Sequence, residues 1–185
     1  MTGLRLAAVL AATLIGAQAR AQQVEVNLVG GTNAVYWGGG GGVGLGLELG
    51  TRVVALAGLG ASYTSSSFSS YGDDYRTLTI DVPVDLKIYC RQRRVGTLQP
   101  TLRLGVGFRY QHASVSAGAV ALPQEDTKGV TGRALVGLEY LVTPRLGISV
   151  EGGVTASSAT GQYQQDSWSY RWLGTMWQAG IVLHL

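Results

Sequence analysis

A single cysteine, Cys90, stands in a chain of 185 residues, so no intramolecular disulfide is possible and a lone thiol makes no metal site. Histidine is nearly as scarce: His112 and His184 lie 72 positions apart and show no ligand spacing. Charge is sparse too, with 14% Asp, Glu, Lys and Arg against 46% hydrophobic residues. That balance leans toward a membrane, yet after residue 21 no stretch reaches the ~18 consecutive apolar residues of a spanning helix. Glycine, present 28 times, and isolated charges interrupt every run. If this chain crosses a bilayer, it crosses with strands.

The N-terminus has the layout of a secretory signal peptide: Arg5, an apolar stretch from Leu6 to Ile15, and small residues at Ala17, Ala19 and Ala21. Cleavage after Ala21 gives a signal peptide over 1–21 and one mature domain over 22–185. Removing Arg5 and Arg20 from the 14 basic residues leaves 12 against 11 acidic ones, so nothing in the charge favours nucleic acid.

What is there is an alternation of period two. Val43, Leu45, Leu47 and Leu49 alternate with Gly44, Gly46, Glu48 and Gly50. Successive strand side chains point to opposite faces, so one face is oily and the other holds glycine and ions. That polar face is too rich in glycine for an ordinary solvated surface. Oil toward lipid and ions inside a closed barrel fits better. The same pattern recurs from Val24 loosely to Val35, then over Val53–Tyr63, Leu78–Ile88, Leu102–Tyr110, Val130–Tyr140, Leu146–Thr155 and Tyr170–Leu185.

The expected breaks are the glycine run Gly38–Gly42 and three long polar loops at Thr64–Tyr75, Ala113–Thr127 and Ser158–Ser169. Short turns are expected at Gly50–Arg52 and Thr143–Arg145, with a basic connection over Cys90–Thr97 that reads as a solvated periplasmic turn. Eight strands with alternating long and short connections describe an antiparallel up-and-down transmembrane β-barrel, its long loops outside the cell. Aromatics are expected at both membrane interfaces, Tyr89 and Tyr140 among those at the turn end. Pro83 lies inside a strand and predicts a bulge or irregular pairing.

On this parity nine ionisable residues of the second to seventh strands face inward: Glu48, Asp81, Asp85, Lys87, Arg103, Arg109, Arg133, Glu139 and Glu151. Slipping the parity by one would turn all of them to lipid, where a basic residue near the midplane costs roughly 2–4 kcal/mol. Five acids against four bases predict a paired interior network, with Glu48, Glu139 and Glu151 on Arg103, Arg109 and Arg133. An eight-stranded lumen is just wide enough for side chains to fill, so the network should act as a plug.

Val82-Pro83-Val84-Asp85-Leu86-Lys87-Ile88-Tyr89, followed by Gln99-Pro100-Thr101-Leu102-Arg103-Leu104-Gly105-Val106-Gly107, resembles the hairpin of small eight-stranded outer-membrane proteins of the OmpA/OmpX and opacity type. The C-terminus resembles the signal read by the barrel-assembly machinery, carried here by Gln178, Gly180, Leu183 and Leu185, with leucine where that family usually ends in an aromatic residue. The resemblance implies a bacterial outer-membrane address, contact with outer-membrane lipids including lipopolysaccharide, passage through the assembly machinery, and a monomer without cofactors. It implies no activity. Ser, Tyr, Gly and Asp in the loops suit an extracellular ligand of unspecified kind.

Three other readings stand beside this one: a small-solute channel, a soluble lipocalin-like binding barrel, and an enzyme. For the last, His112-Ala113-Ser114 with Glu125 and Asp126 resembles the histidine, serine and acid set of an outer-membrane lipid A deacylase. That resemblance stops at Val115, where those enzymes have asparagine. No catalytic, cofactor or metal site is expected.

Overall fold

The computed structural model describes residues 23–33, 36–68, 73–117, 120–121, 125–163 and 166–185. The signal peptide over 1–21 lies outside them. The strands are β1 Gln23–Asn33, β2 Tyr36–Glu48, β3 Val53–Phe68, β4 Asp73–Tyr89, β5 Leu98–Ala117, β6 Val120–Ala121, β7 Glu125–Leu141, β8 Leu146–Tyr163 and β9 Asp166–His184. Apart from the two-residue β6, which pairs only with the end of β5, each strand is hydrogen-bonded to two antiparallel neighbours. The β1–β9 seam runs from Gln23↔His184 to Gly31↔Met176 and closes an eight-stranded barrel. No backbone edge is left to be satisfied in lipid.

Burial is inside out. Among the described residues, 29 large hydrophobic side chains are exposed, Val106 at 69% and Leu173 at 67% among them, while 19 polar or charged side chains are buried. Only seven of the described hydrophobic residues are buried. This inversion is what a lipid-facing wall around a polar lumen requires. All of the outward sets expected on β3, β4, β5, β7 and β8 lie on the outer wall. Inward apolar residues such as Leu135, Val54 and Leu56 add packing that parity alone does not suggest.

Two expectations need correction. Gly38–Gly42 does not break the sheet: it lies within β2 and pairs with both β1 and β3. Ladder bonds need no side chain, and a Cβ at Gly40 would fall on the Ala61 carbonyl oxygen, so glycine lets these strands approach. The three long loops are largely strand, since β3 runs to Phe68, β5 to Ala117 and β8 to Tyr163. Beyond the bilayer the outward positions need not be apolar, so pairing continues where the hydrophobic alternation stops. These strands of 16–20 residues far exceed the ~9–11 that cross a bilayer. The irregular pairing expected at Pro83 is present, without a bulge. The β3–β4 register is the same on both sides of it, but Gly58 and Leu59 form no pairs there, while Pro83↔Gly107 holds on the β5 side. Pro83 lacks its N–H, and the ladder is interrupted without a shift.

Candidate functional site

The half of the lumen nearer the short turns is filled by one ionic cluster. Lys87 on β4 places Nζ 2.7 Å from Glu25 Oε1 on β1, 2.8 Å from Glu139 Oε2 on β7 and 3.7 Å from Glu151 Oε1 on β8. Arg103 on β5 donates from Nη2 to Glu25 Oε2 at 2.6 Å and from Nη1 to Asp85 Oδ2 at 3.4 Å. Its Nε sits 2.6 Å from Glu151 Oε2 as an ion pair without hydrogen-bond alignment. Arg133 grips Asp85 with Nε at 2.8 Å from Oδ1 and Nη2 on Oδ2. Apart from Arg133, every ion in this group is at most 3% exposed.

Four carboxylates thus meet three bases. Neutral donors supply the remainder: Tyr89 Oη donates to Glu139 Oε2 at 2.9 Å, Gln23 Nε2 to Glu25 Oε1 at 2.7 Å, and Gln178 Nε2 to Glu151. His184 Nε2 lies 3.0 Å from Glu139 Oε1, and its Nδ1 lies 2.9 Å from Arg93 Nη1. A guanidinium has only donors, so Nδ1 accepts and Nε2 carries the proton given to Glu139. Buried ions are tolerated only with such complete pairing, because an isolated charge in low dielectric is costly.

The half nearer the loops is more open. Asp81 and Arg109 form a two-pronged pair, Nε to Oδ1 at 2.6 Å and Nη2 to Oδ2 at 2.8 Å. Arg109 also donates to Ser157 Oγ at 3.1 Å and stacks 4.9 Å from the Trp172 ring centre. Around this pair the wall is mostly glycine, serine and threonine, and it borders two small cavities of about 60 and 80 Å³, the first of which reaches down to Glu25, Asp85, Arg103 and Arg133 of the ionic cluster.

All nine inward residues expected from parity line the lumen, but the partners differ from those expected. Glu151 does pair with Arg103. Glu139 pairs with Lys87, because Tyr89 and Lys87 on β4 both point at it. Arg109 takes Asp81, directly opposite it in register, and Arg133 reaches Asp85. Glu48, at the turn end of β2, is bound by Arg93 Nη2 at 2.5 Å. The Cys90–Thr97 connection is therefore not wholly solvated: Arg93 folds back across the barrel mouth and lies 5.1 Å from the Tyr89 ring centre. Cys90 itself is exposed and free. Tyr89 is no interface aromatic, for the inward parity of Asp85 and Lys87 continues to it and leaves it 1% exposed.

The C-terminal residues split by parity. Leu183 and Leu185 face outward, whereas Gln178 and Gly180 face the lumen. A Cβ at Gly180 would fall on Asn27 Oδ1 across the seam, so only glycine admits β1 there. On the outer wall near the loops, His112 Nδ1 lies 2.7 Å from Asp126 Oδ1, its partner in register. Ser114 follows on the same face two residues along. Above the apolar band, the His112 hydrogen bond holds the Asp126 carboxyl below its usual range. No group of three or more His, Cys, Asp and Glu among the described residues could hold a metal ion.

Sequence reasoning passes over Glu25, the acid shared by Lys87 and Arg103, because alternation fades at Gly30-Gly31 and leaves the first strand weak. Its signal is nonetheless present, since Glu25 sits between Val24 and Val26. Tyr89, Gln178 and His184 are also part of the cluster, and each sits on the inward parity of its own strand.

Comparison with known proteins agrees with this architecture. No curated protein matches the sequence. Among solved structures, a major outer membrane protein from Thermus thermophilus has a TM-score of 0.52 at 10% identity, over 88% of this chain and 99% of that one. Ail, the attachment invasion locus protein of Yersinia pestis, has a TM-score of 0.49 at 13% identity, over 88% and 95%. Neisserial surface protein A has a TM-score of 0.47 at 14% identity, over 88% and 95%. What such identities share is fold. A family model described as the outer membrane protein beta-barrel domain matches residues 6–178. With that match and an inside-out closed barrel beneath it, this chain belongs to the outer membrane protein beta-barrel domain family and is an integral protein of the bacterial outer membrane.

Proposed function

We propose that the protein is a non-catalytic envelope barrel whose lumen is plugged and whose work is done by the hairpins that project beyond the outer leaflet. The observation that carries this reading is the buried cluster around Lys87 and Arg103, which ties β1, β4, β5, β7 and β8 together across the lumen. A lumen crossed by paired, fully buried charges leaves no water path at that level, and the two cavities above it hold a few waters at most. The projecting ends of β3, β4, β5, β7, β8 and β9 are polar and give the protein a surface outside the cell. They suit adhesion or capture of an extracellular ligand. Gln178, Gly180, Leu183 and Leu185 serve the assembly machinery during insertion, and the barrel works as a monomer.

Planar-bilayer recording on the refolded protein tests the plug. The expected trace shows no steady open conductance. A stable conducting state in the unmodified protein would replace this reading with the small-solute channel.

A further inference from the structure

The turn-side mouth of the lumen is crossed by one side chain. Arg93 folds back over it and holds two groups, Glu48 through Nη2 and the His184 ring nitrogen Nδ1 through Nη1 at 2.9 Å. The backbone that carries it is fixed on both sides: Cys90 N donates to the Pro100 carbonyl at 2.9 Å, and the Arg94 carbonyl accepts from Thr97 Oγ1 at 2.8 Å. Only Arg91–Arg93 can shift between those points, so Arg93 acts as a short latch.

His184 joins this latch to the buried cluster. Side-chain exposure falls stepwise inward, from 17% for Arg93 to 10% for His184 and none for Glu139. An open recess of about 430 Å³, lined by Glu48, Gly50, Thr51, Gln92 and Arg93, brings solvent to the outer side of the latch. A proton entering there meets the His184 ring before it meets the cluster. The ring accepts from Arg93 and donates to Glu139, a combination open only to the neutral form, since a protonated imidazole donates from both nitrogens. Histidine is the side chain suited to changing charge near neutral pH.

Charged and titratable groups surround the ring on every side. Glu139 on β7 and Arg93 touch it; Lys87 and Tyr89 on β4 and Glu25 on β1 stand behind Glu139, and Glu48 on β2 stands behind Arg93. Before β8, the Arg145 carbonyl accepts from His184 N at 2.8 Å and its side chain is exposed, while Gln23, opposite His184 in register on β1, is neutral. Among the described residues of this linked set, Glu25, Glu48, Asp85, Glu139 and Glu151 face Lys87, Arg93, Arg103 and Arg133, which leaves one carboxylate over. A proton on His184 supplies the missing positive charge, at the cost of the bond to Arg93.

We propose that His184 is a proton-operated latch on the turn-side mouth: the neutral ring holds Arg93 across the opening, and protonation of the ring releases it. The proton comes from solvent onto Nδ1 and the Nε2 proton stays on Glu139. Arg93 Nη1 then faces a donor of like charge and turns to water, with Glu48 its one remaining ion-pair partner among the described residues. Lys87 and Arg103 keep their partners in both states. The latch therefore governs access to the mouth and goes beyond the plug, which stays closed throughout.

Electron paramagnetic resonance of a nitroxide at Gln92→Cys in a Cys90→Ser background, in lipid vesicles, reads the latch. Between about pH 8 and about pH 5 the mobile fraction of the label should rise about twofold or more. In a His184→Gln variant that dependence should vanish, and in Arg93→Gln the label should be mobile at both pH values. Heat-modifiable gel migration confirms a folded barrel in each. A label in the folded parent that ignores pH, or an equal response in parent and His184→Gln, overturns the latch. Where His184→Gln does not fold, Arg93→Gln decides, because a label that still responds to pH without Arg93 overturns it too. Bilayer recording at both pH values separates this from the plug: a conducting parent defeats the plug, whereas the label alone decides the latch.

Discussion

The two halves of the lumen solve the problem of buried charge differently. Toward the turns, Glu25, Lys87, Arg103, Glu139 and Glu151 are withdrawn from water entirely and share one another across five strands. Toward the loops, a single pair, Asp81 and Arg109, stands beside small cavities with a wall of glycine, serine and threonine. In the first half Glu25, Asp85, Lys87, Arg103 and Glu151 each meet two or more opposite charges. In the second, one pair is left partly solvated, with the Asp81 side chain 26% exposed. Cross-strand connectivity, and with it the capacity to hold the barrel shut, is concentrated at the end where the chain termini meet.

That difference should be visible in unfolding by urea from lipid vesicles. Glu25→Gln removes the acid shared by Lys87 and Arg103; the three remaining carboxylates still balance the three bases, so the expected loss is that of the buried charged hydrogen bonds, about 1.5–3 kcal/mol. Asp81→Asn breaks a partly solvated pair, for which about 1 kcal/mol is expected. Equal losses would erase the distinction between the halves. The smallest effect is of opposite sign. Pro83→Val restores an N–H where the β3–β4 ladder is interrupted, with an expected gain of about 0.5–1.5 kcal/mol if the restored donor finds a β3 carbonyl.

Period-two parity alone is enough to place Asp85, Lys87, Arg103, Glu139 and Glu151 inside, because a membrane barrel leaves charged residues only one tolerable face. It does not assign partners. Which acid meets Lys87 depends on shear between strands and on side-chain reach, neither of which alternation encodes. Gly38–Gly42 and the serine-rich stretch after Tyr63 mislead for a related reason. Strand pairing is a backbone property, and it persists where side chains carry no apolar signal. Arg93 reads as solvated because its segment is a connection, yet an eight-residue span long enough to fold back delivers it to Glu48 and His184.

The most direct test of the inside-out wall uses nitroxide labels in a Cys90→Ser background, one at Val150 on the outer face of β8 and one at Ser62 on the inner face of β3. In vesicles the Val150 label should relax strongly with lipid-soluble oxygen and weakly with an aqueous nickel chelate, while the Ser62 label should be shielded from oxygen. An aqueous signal at Val150 together with an oxygen signal at Ser62 would contradict the lipid-facing assignment on which every other conclusion depends.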